Sequence, residues 1–282
     1  MFLAEYLVCH LVFTSEKGKL YVKIVRQNRI CQLNRGFRVL IFSFLILKCL
    51  SLFIFHLNIM TKQKIAIIVA GGKGERMNAD IPKQFLEIKA RPILMHTLEV
   101  FRKYDAVMQL ILVLPATQID FWKELCKKYA FTLEHKIVSG GQTRFESVKN
   151  GLHQVELPSL VAVHDGVRPL VSIETIERCF AAAQEFDAAI PVVDLVDSIR
   201  QLSAEGSISV DRTAYKLVQT PQVFDGSLLK KAYEQEFSTL FTDDASVVEN
   251  LGTKIHLVEG NRENIKITTA MDLEIAEVIL KF

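Results

Sequence analysis

The chain has 282 residues, half of them apolar, and 34 Lys/Arg against 32 Asp/Glu give it a formal charge of +2. This composition is far from that of a disordered chain and allows one large domain or two small ones; the even charge balance excludes an obviously basic nucleic-acid binder. Five cysteines, an odd number with no C-x-x-C or Cys/His metal spacing, argue against a disulfide framework and for a reducing, cytoplasmic compartment.

Residues 1–59 differ from the rest. They hold eight Lys/Arg and two Asp/Glu, so the remaining chain, with 26 and 30, is net acidic, and all seven prolines lie in that second part. From Val39 to Ile59 the sequence is almost wholly apolar, broken by Lys48 and His56. It is long enough to span a bilayer. Yet Arg26, Arg29, Arg35 and Arg38 in front of it would place the body outside, away from a cytosolic nucleotide. A start at Met60 removes the conflict. We therefore read 1–59 as an extension (a mispredicted start or a hydrophobic appendage), expect no membrane association, and take 60–282 as the working domain.

In that domain short apolar runs alternate with segments of helical period. Lys64–Ala70, Leu110–Leu114, His135–Val138, Leu160–His164, Ala188–Val193, Lys254–Val258 and Asn264–Thr268 are the expected strands. Between them 93–104, 118–129, 144–154, 173–186, 227–235, 244–250 and 271–280 are the expected helices, with Thr143 and Glu146 spaced as a capping box. The alternation predicts an α/β fold: a doubly wound, mostly parallel twisted sheet of the Rossmann-like kind. Residues 197–220 break the pattern. Two polar–apolar alternating runs flank Ala204-Glu205-Gly206-Ser207, a hairpin that cannot bury itself inside such a sheet and so projects as an arm suited to pairing with a second copy.

Four clusters carry the chemistry. After the first strand come Ala70-Gly71-Gly72-Lys73-Gly74-Glu75-Arg76-Met77 and then Pro82-Lys83-Gln84. Gly71, Gly72 and Gly74 let backbone amides approach phosphate oxygens, and Arg76 and Lys83 add fixed positive charge. A second strand-to-helix crossing holds Gly140, Gly141 and Ser147, where a flat base could lie against the backbone. Asp165, at the carboxyl end of Leu160–His164, is a candidate Mg²⁺ ligand; the plainer alternative is a turn carboxylate paired with Arg168. Asp243 and Asp244 fit an ordinary helix start. Lys266 interrupts an apolar strand, so it either snorkels to solvent or meets an anion.

Together A-G-G-x-G-x-R-M, P-K-Q, G-G-x-x-R-x-x-S-V, H-D-x-x-R-P, V-D-R, T-P-Q, T-D-D-A-S and V-E-G…N-I-K-I-T resemble the 2-C-methyl-D-erythritol 4-phosphate cytidylyltransferases of the non-mevalonate isoprenoid pathway. The likeness runs from about Lys64 to Leu280. It implies a homodimeric, Mg²⁺-dependent enzyme that joins CTP to a methylerythritol phosphate and releases pyrophosphate. Under it Arg76 and Lys83 stabilise charge on the triphosphate, Ala70, Gly71, Gly140, Gly141 and Ser147 hold cytosine and ribose, and Asp165 binds the metal. Arg212 and Lys266 position the acceptor's phosphate, and Arg168, Ser198, Thr220 and Thr242 line its pocket, with Arg212 reaching the other subunit's site from the arm. Ribitol 5-phosphate as acceptor and a non-catalytic nucleotide-binding module are the alternatives.

Overall fold

The computed structural model describes residues 62–71 and 81–281, together with the backbone of 10–16, 19–26 and 29–30. The chain divides into two units, Met1–Thr61 and Lys62–Phe282. In the first, strands β1 (His10–Glu16), β2 (Lys19–Arg26) and β3 (Arg29–Ile30) pair antiparallel in sequence order. The apolar run 39–59 lies outside the described residues. Among those described, no helix is long and apolar enough to cross a membrane.

The second unit is built on β4 (Gln63–Val69), whose Ile65, Ala66, Ile67 and Ile68 are completely buried. Successive side chains of a strand point to opposite faces, so a run this uniformly apolar forms only where both faces are covered. Ala66 and Ile68 enter one core with Leu110, Leu112, Leu160, Ala162, Phe101, Trp122 and Phe180; Ile65 and Ile67 enter another with Ile111, Val113, Val161, Val163, Phe145, Val148 and Tyr233. Helices α1 (Ile93–Tyr104), α2 (Ile119–Lys128) and α4 (Ile173–Phe186) supply the first layer. The second comes from α3 (Arg144–Leu152), α5 (Gly226–Ala232) and α6 (Asp244–Glu249). Thr143 and Glu146 form the expected capping box of α3, with Glu146 N donating to Thr143 Oγ1 at 3.1 Å.

β4 pairs parallel with β9 (Ser159–Asp165) on one side and β7 (Gln109–Leu114) on the other, and β7 pairs parallel with β8 (Lys136–Ser139). The remaining strands make the sheet mixed. β14 (Gln222–Asp225) runs antiparallel between β9 and β10 (Ala188–Asp194), and β13 (Lys216–Val218) continues along β10. Val218 pairs with Val192 but Phe224 pairs with Ala188, so two extra residues bulge out around Thr220. β15 (His256–Glu259) pairs parallel with β10. Two short strands, β5 (Glu87–Ile88) and β6 (Arg91–Pro92), pair with each other in front of α1.

Two expectations need correction. The hairpin is shorter than 197–220: among the described residues β11 (Ile199–Ser203) and β12 (Gly206–Val210) pair only with each other, while 216–218 joins the main sheet. Asn264–Thr268 is not a strand. It is an extended strap, held by Ile267 N donating to Val167 O at 3.0 Å and by Ile267 packing with Ile88, Ile93, Val167 and Leu170 beneath α7 (Ala270–Ile279). The segment does alternate, with Ile267 buried and Lys266 exposed, but it crosses a loop and among the described residues has no ladder to join.

Candidate active site

The carboxyl ends of β4, β8 and β9 meet at one rim of the sheet, where an open α/β fold leaves a crevice. An open cleft there is lined by Ala70 and Gly71 from the end of β4, Lys83 and Gln84 from a one-turn 3-10 helix (Lys83–Phe85), Gly141 to Arg144 and Ser147 from the start of α3, Asp165 from the end of β9, and Lys266 from the strap. Seven residues singled out from the sequence, Ala70, Gly71, Lys83, Gly141, Ser147, Asp165 and Lys266, are brought together.

Asp165 is the electrostatic centre. Its Oδ2 accepts from Arg168 Nε at 3.1 Å and faces Lys266 Nζ at 3.0 Å; its Oδ1 lies 3.9 Å from Arg144 Nε. Burial alone would push its carboxyl upward, but the cations of Arg144, Lys266 and Arg168 outweigh that and hold it well below the usual carboxylate range. Asp165 N donates to Thr220 Oγ1 at 3.2 Å, and Thr220 Oγ1 lies 3.0 Å from His164 Nδ1. On the other side of the ring His164 Nε2 lies 3.0 Å from Arg168 O. A carbonyl only accepts, so Nε2 carries the proton and Nδ1 accepts from the Thr220 hydroxyl. Burial lowers the His164 pKa to about 4, which keeps the ring neutral. Thr220 thus stands behind Asp165 as its anchor.

The glycine pair leaves no room for side chains. A Cβ on Gly141 would sit 2.3 Å from Glu146 Cβ, and one on Gly140 would sit 2.9 Å from Ser147 Oγ. Ser147 Oγ accepts from Gly141 N at 3.2 Å and donates to Thr143 O at 2.9 Å, so it fastens this loop to α3.

Gly72, Gly74 and Arg76 fall outside the described residues. Arg168 touches Asp165 and donates from Nη1 to Asn264 O at 2.7 Å, which ties the strap to β9. Ser198 and Arg212 are exposed on and beside the arm, where Arg212 bonds Val196 O; Thr242 is exposed just before α6.

Two cleft residues escaped the sequence reading. Arg144 opens α3, an unfavourable place for a cation beside the positive end of the helix dipole. That mismatch was the available signal. Its compensation is Asp244, fully buried, which accepts from Arg144 Nη1 at 2.9 Å, from Nη2 at 2.6 Å and from Tyr233 OH at 2.6 Å. Gln84, also buried, is the other. Cys126 and Cys179 take no part: burial pushes their thiols up to about 11 and about 12.

Asp165 is a single carboxylate ringed by cations, and among the described residues no group of three or more His, Cys, Asp or Glu could hold a metal ion. That donor set does not suit a resident metal. It does suit Mg²⁺ carried in by a nucleotide, since Mg²⁺ takes one or two carboxylates and fills its remaining positions with phosphate oxygens and water.

Comparison with known proteins places the chain in a family. The family model for 2-C-methyl-D-erythritol 4-phosphate cytidylyltransferase matches residues 64–282. A protein of that name from Bacteroides thetaiotaomicron is 61% identical over 219 residues, covering 78% of this chain and all of that protein. One from Porphyromonas gingivalis is 49% identical over 223 residues, 78% of this chain and 99% of that protein. Among solved structures, the Thermus thermophilus enzyme of the same name superposes with a TM-score of 0.61 at 32% identity, covering 79% of this chain and all of that one. A 4-diphosphocytidyl-2C-methyl-D-erythritol synthase from Anaerococcus prevotii gives a TM-score of 0.67 at 30% identity, covering 78% and 97%. Sequence and fold agree, and the chain belongs to the 2-C-methyl-D-erythritol 4-phosphate cytidylyltransferase family.

Proposed function

We propose that the cleft binds CTP and transfers its cytidylyl group to 2-C-methyl-D-erythritol 4-phosphate, with release of pyrophosphate, in isoprenoid precursor synthesis. The observation that carries this reading is the convergence of Lys83, Arg144, Lys266 and Asp165 on a glycine-lined rim. An oxygen of the acceptor's phosphate attacks the α-phosphorus of CTP. The bond from that phosphorus to the bridging oxygen breaks, and pyrophosphate leaves with the electron pair. The attacking oxygen is already anionic, so the step needs no general base. Catalysis is positioning plus stabilisation of the charge that grows on the phosphoryl oxygens.

In this mechanism Gly71, Gly140 and Gly141 offer bare backbone to cytosine and ribose, and Lys83, with Arg76, meets the triphosphate. Lys266 and Arg168 flank the acceptor's phosphate, with Ser198, Thr220 and Thr242 completing its surroundings. Asp165 would hold Mg²⁺ together with the phosphates, and the ion when bound would neutralise triphosphate charge. Arg212 reaches its site across a homodimer. Support for that lies in the arm, which exposes Leu202 at 80% and Ile208 at 61%, apolar surface of the kind that a partner covers.

The test is pyrophosphate release from CTP and Mg²⁺ with 2-C-methyl-D-erythritol 4-phosphate or ribitol 5-phosphate as acceptor. Turnover with the first at least about tenfold above the second is expected. Preference for ribitol 5-phosphate would replace the acceptor, and binding of CTP without product would reduce the protein to a nucleotide-binding module.

A further inference from the structure

Gln84 lies between Lys83 and Phe85 and is 1% exposed, although it lines the cleft. Its Nε2 donates to Ala70 O at 3.0 Å and to Gln118 Oε1 at 2.6 Å. Ala70 N in turn donates to Val113 O at 2.9 Å, and Gln118 ends the one-turn helix Ala116–Gln118 that follows β7. One primary amide, with two N–H donors on its nitrogen, therefore ties three segments together. These are the end of β4, the turn after β7, and the turn that carries Lys83.

On the other side of this turn Phe85 packs against Trp122, with ring centroids 6.1 Å apart, and edge-on against Phe121 at 5.2 Å. Apolar packing holds the turn down but is non-directional. The two hydrogen bonds are directional and set where along the rim the turn sits. This matters because Lys83 reaches its target on a flexible four-carbon stem, so a shifted turn moves the ammonium with it. A misplacement of about 1 Å can cost about 100-fold in rate.

We propose that Gln84 is a positioning residue for Lys83, acting through its bond to the Ala70 carbonyl to register the lysine turn against the nucleotide rim. This rests on the reading of Lys83 as a transition-state-stabilising group. The experiment is a double-mutant cycle in the full chain with Lys83→Ala, Gln84→Met and the pair, reading kcat, CTP affinity and thermal midpoint. Met matches Gln in length and shape but donates nothing.

Gln84→Met is expected to lower kcat about 10- to 100-fold with CTP affinity kept within about threefold. In the Lys83→Ala background the same change should alter kcat less than about twofold, because the group it positions is gone. A structural role alone would cost the same factor in both backgrounds, and that outcome overturns the proposal, as does a Gln84→Met kcat within about twofold of wild type. If Lys83→Ala itself leaves kcat intact, the reading of the site fails first and this inference falls with it. Should Gln84→Met not fold, Gln84→Glu takes its place in the cycle. The Gln118 amide can turn its NH₂ toward that carboxylate, but the bond to Ala70 O is lost until acid protonates the new group. The expected signature is a kcat deficit at neutral pH that shrinks as pH falls, and a pH-independent deficit would contradict the proposal.

Discussion

His164 is sealed between Phe101, whose ring centroid lies 4.9 Å from its own, and the turn after β9, one residue before the carboxylate that organises the cleft. Its pKa falls from 6.5 to about 4 because burial disfavours the charged ring. The unfolded chain therefore binds more protons between those values, so the stability this residue contributes is complete above pH 6.5 and is lost as pH drops toward 4. The loss amounts to roughly 3 kcal/mol. Urea unfolding from pH 7 to pH 4 should show that decline, and His164→Asn should flatten it; an unchanged slope in the variant would remove His164 from the account. Asp165 has the opposite reserve, since it remains ionised far below this window. At this scale the sequence made Lys83, Asp165 and Lys266 readable, because Lys83 and Asp165 stand in clusters that follow strands and Lys266 interrupts an apolar run. Arg144 offered only a faint signal, a cation at a helix start, because its compensating carboxylate, Asp244, lies 100 residues away.

The central strands were legible as elements because burial on both faces leaves an unbroken apolar run, as in β4, and because capping chemistry such as Thr143–Glu146 is local. β13 and β14 were not. Lys216–Val218 carries the same alternation as the arm beside it, and what separates them is pairing with β10, a long-range choice. Among the described residues the arm pairs only with itself, and Arg212, which follows it, is exposed and is not among the residues lining the cleft. If it completes a partner's site, Lys83→Ala and Arg212→Ala are each inactive alone yet complement each other when mixed and allowed to exchange subunits. Random exchange makes half the dimers mixed, each with one intact site, so about a quarter of wild-type activity should return. No recovery after verified exchange would confine Arg212 to its own subunit.

For the whole molecule, two layers of helices on a mixed sheet place Lys83, Arg144 and Lys266, the cations lining the cleft among the described residues, on one rim of the Lys62–Phe282 unit. We propose that residues 60–282 fold and act without residues 1–59. A chain starting at Met60 should keep the kcat and thermal midpoint of the full chain, whereas loss of either would give the first unit a working part. The class of fold was legible because alternating strands and helices admit few arrangements. The strap that delivers Lys266 was not, because its position depends on packing beneath α7. The most direct measurement is a crystal structure of the protein with CTP and Mg²⁺. Cytosine should lie against Gly71, Gly140 and Gly141, with the α-phosphate within hydrogen-bond reach of Lys83 Nζ and the ion on Asp165. A nucleotide bound away from this rim, or seated with its phosphates turned from Lys83 and Asp165, would contradict the account.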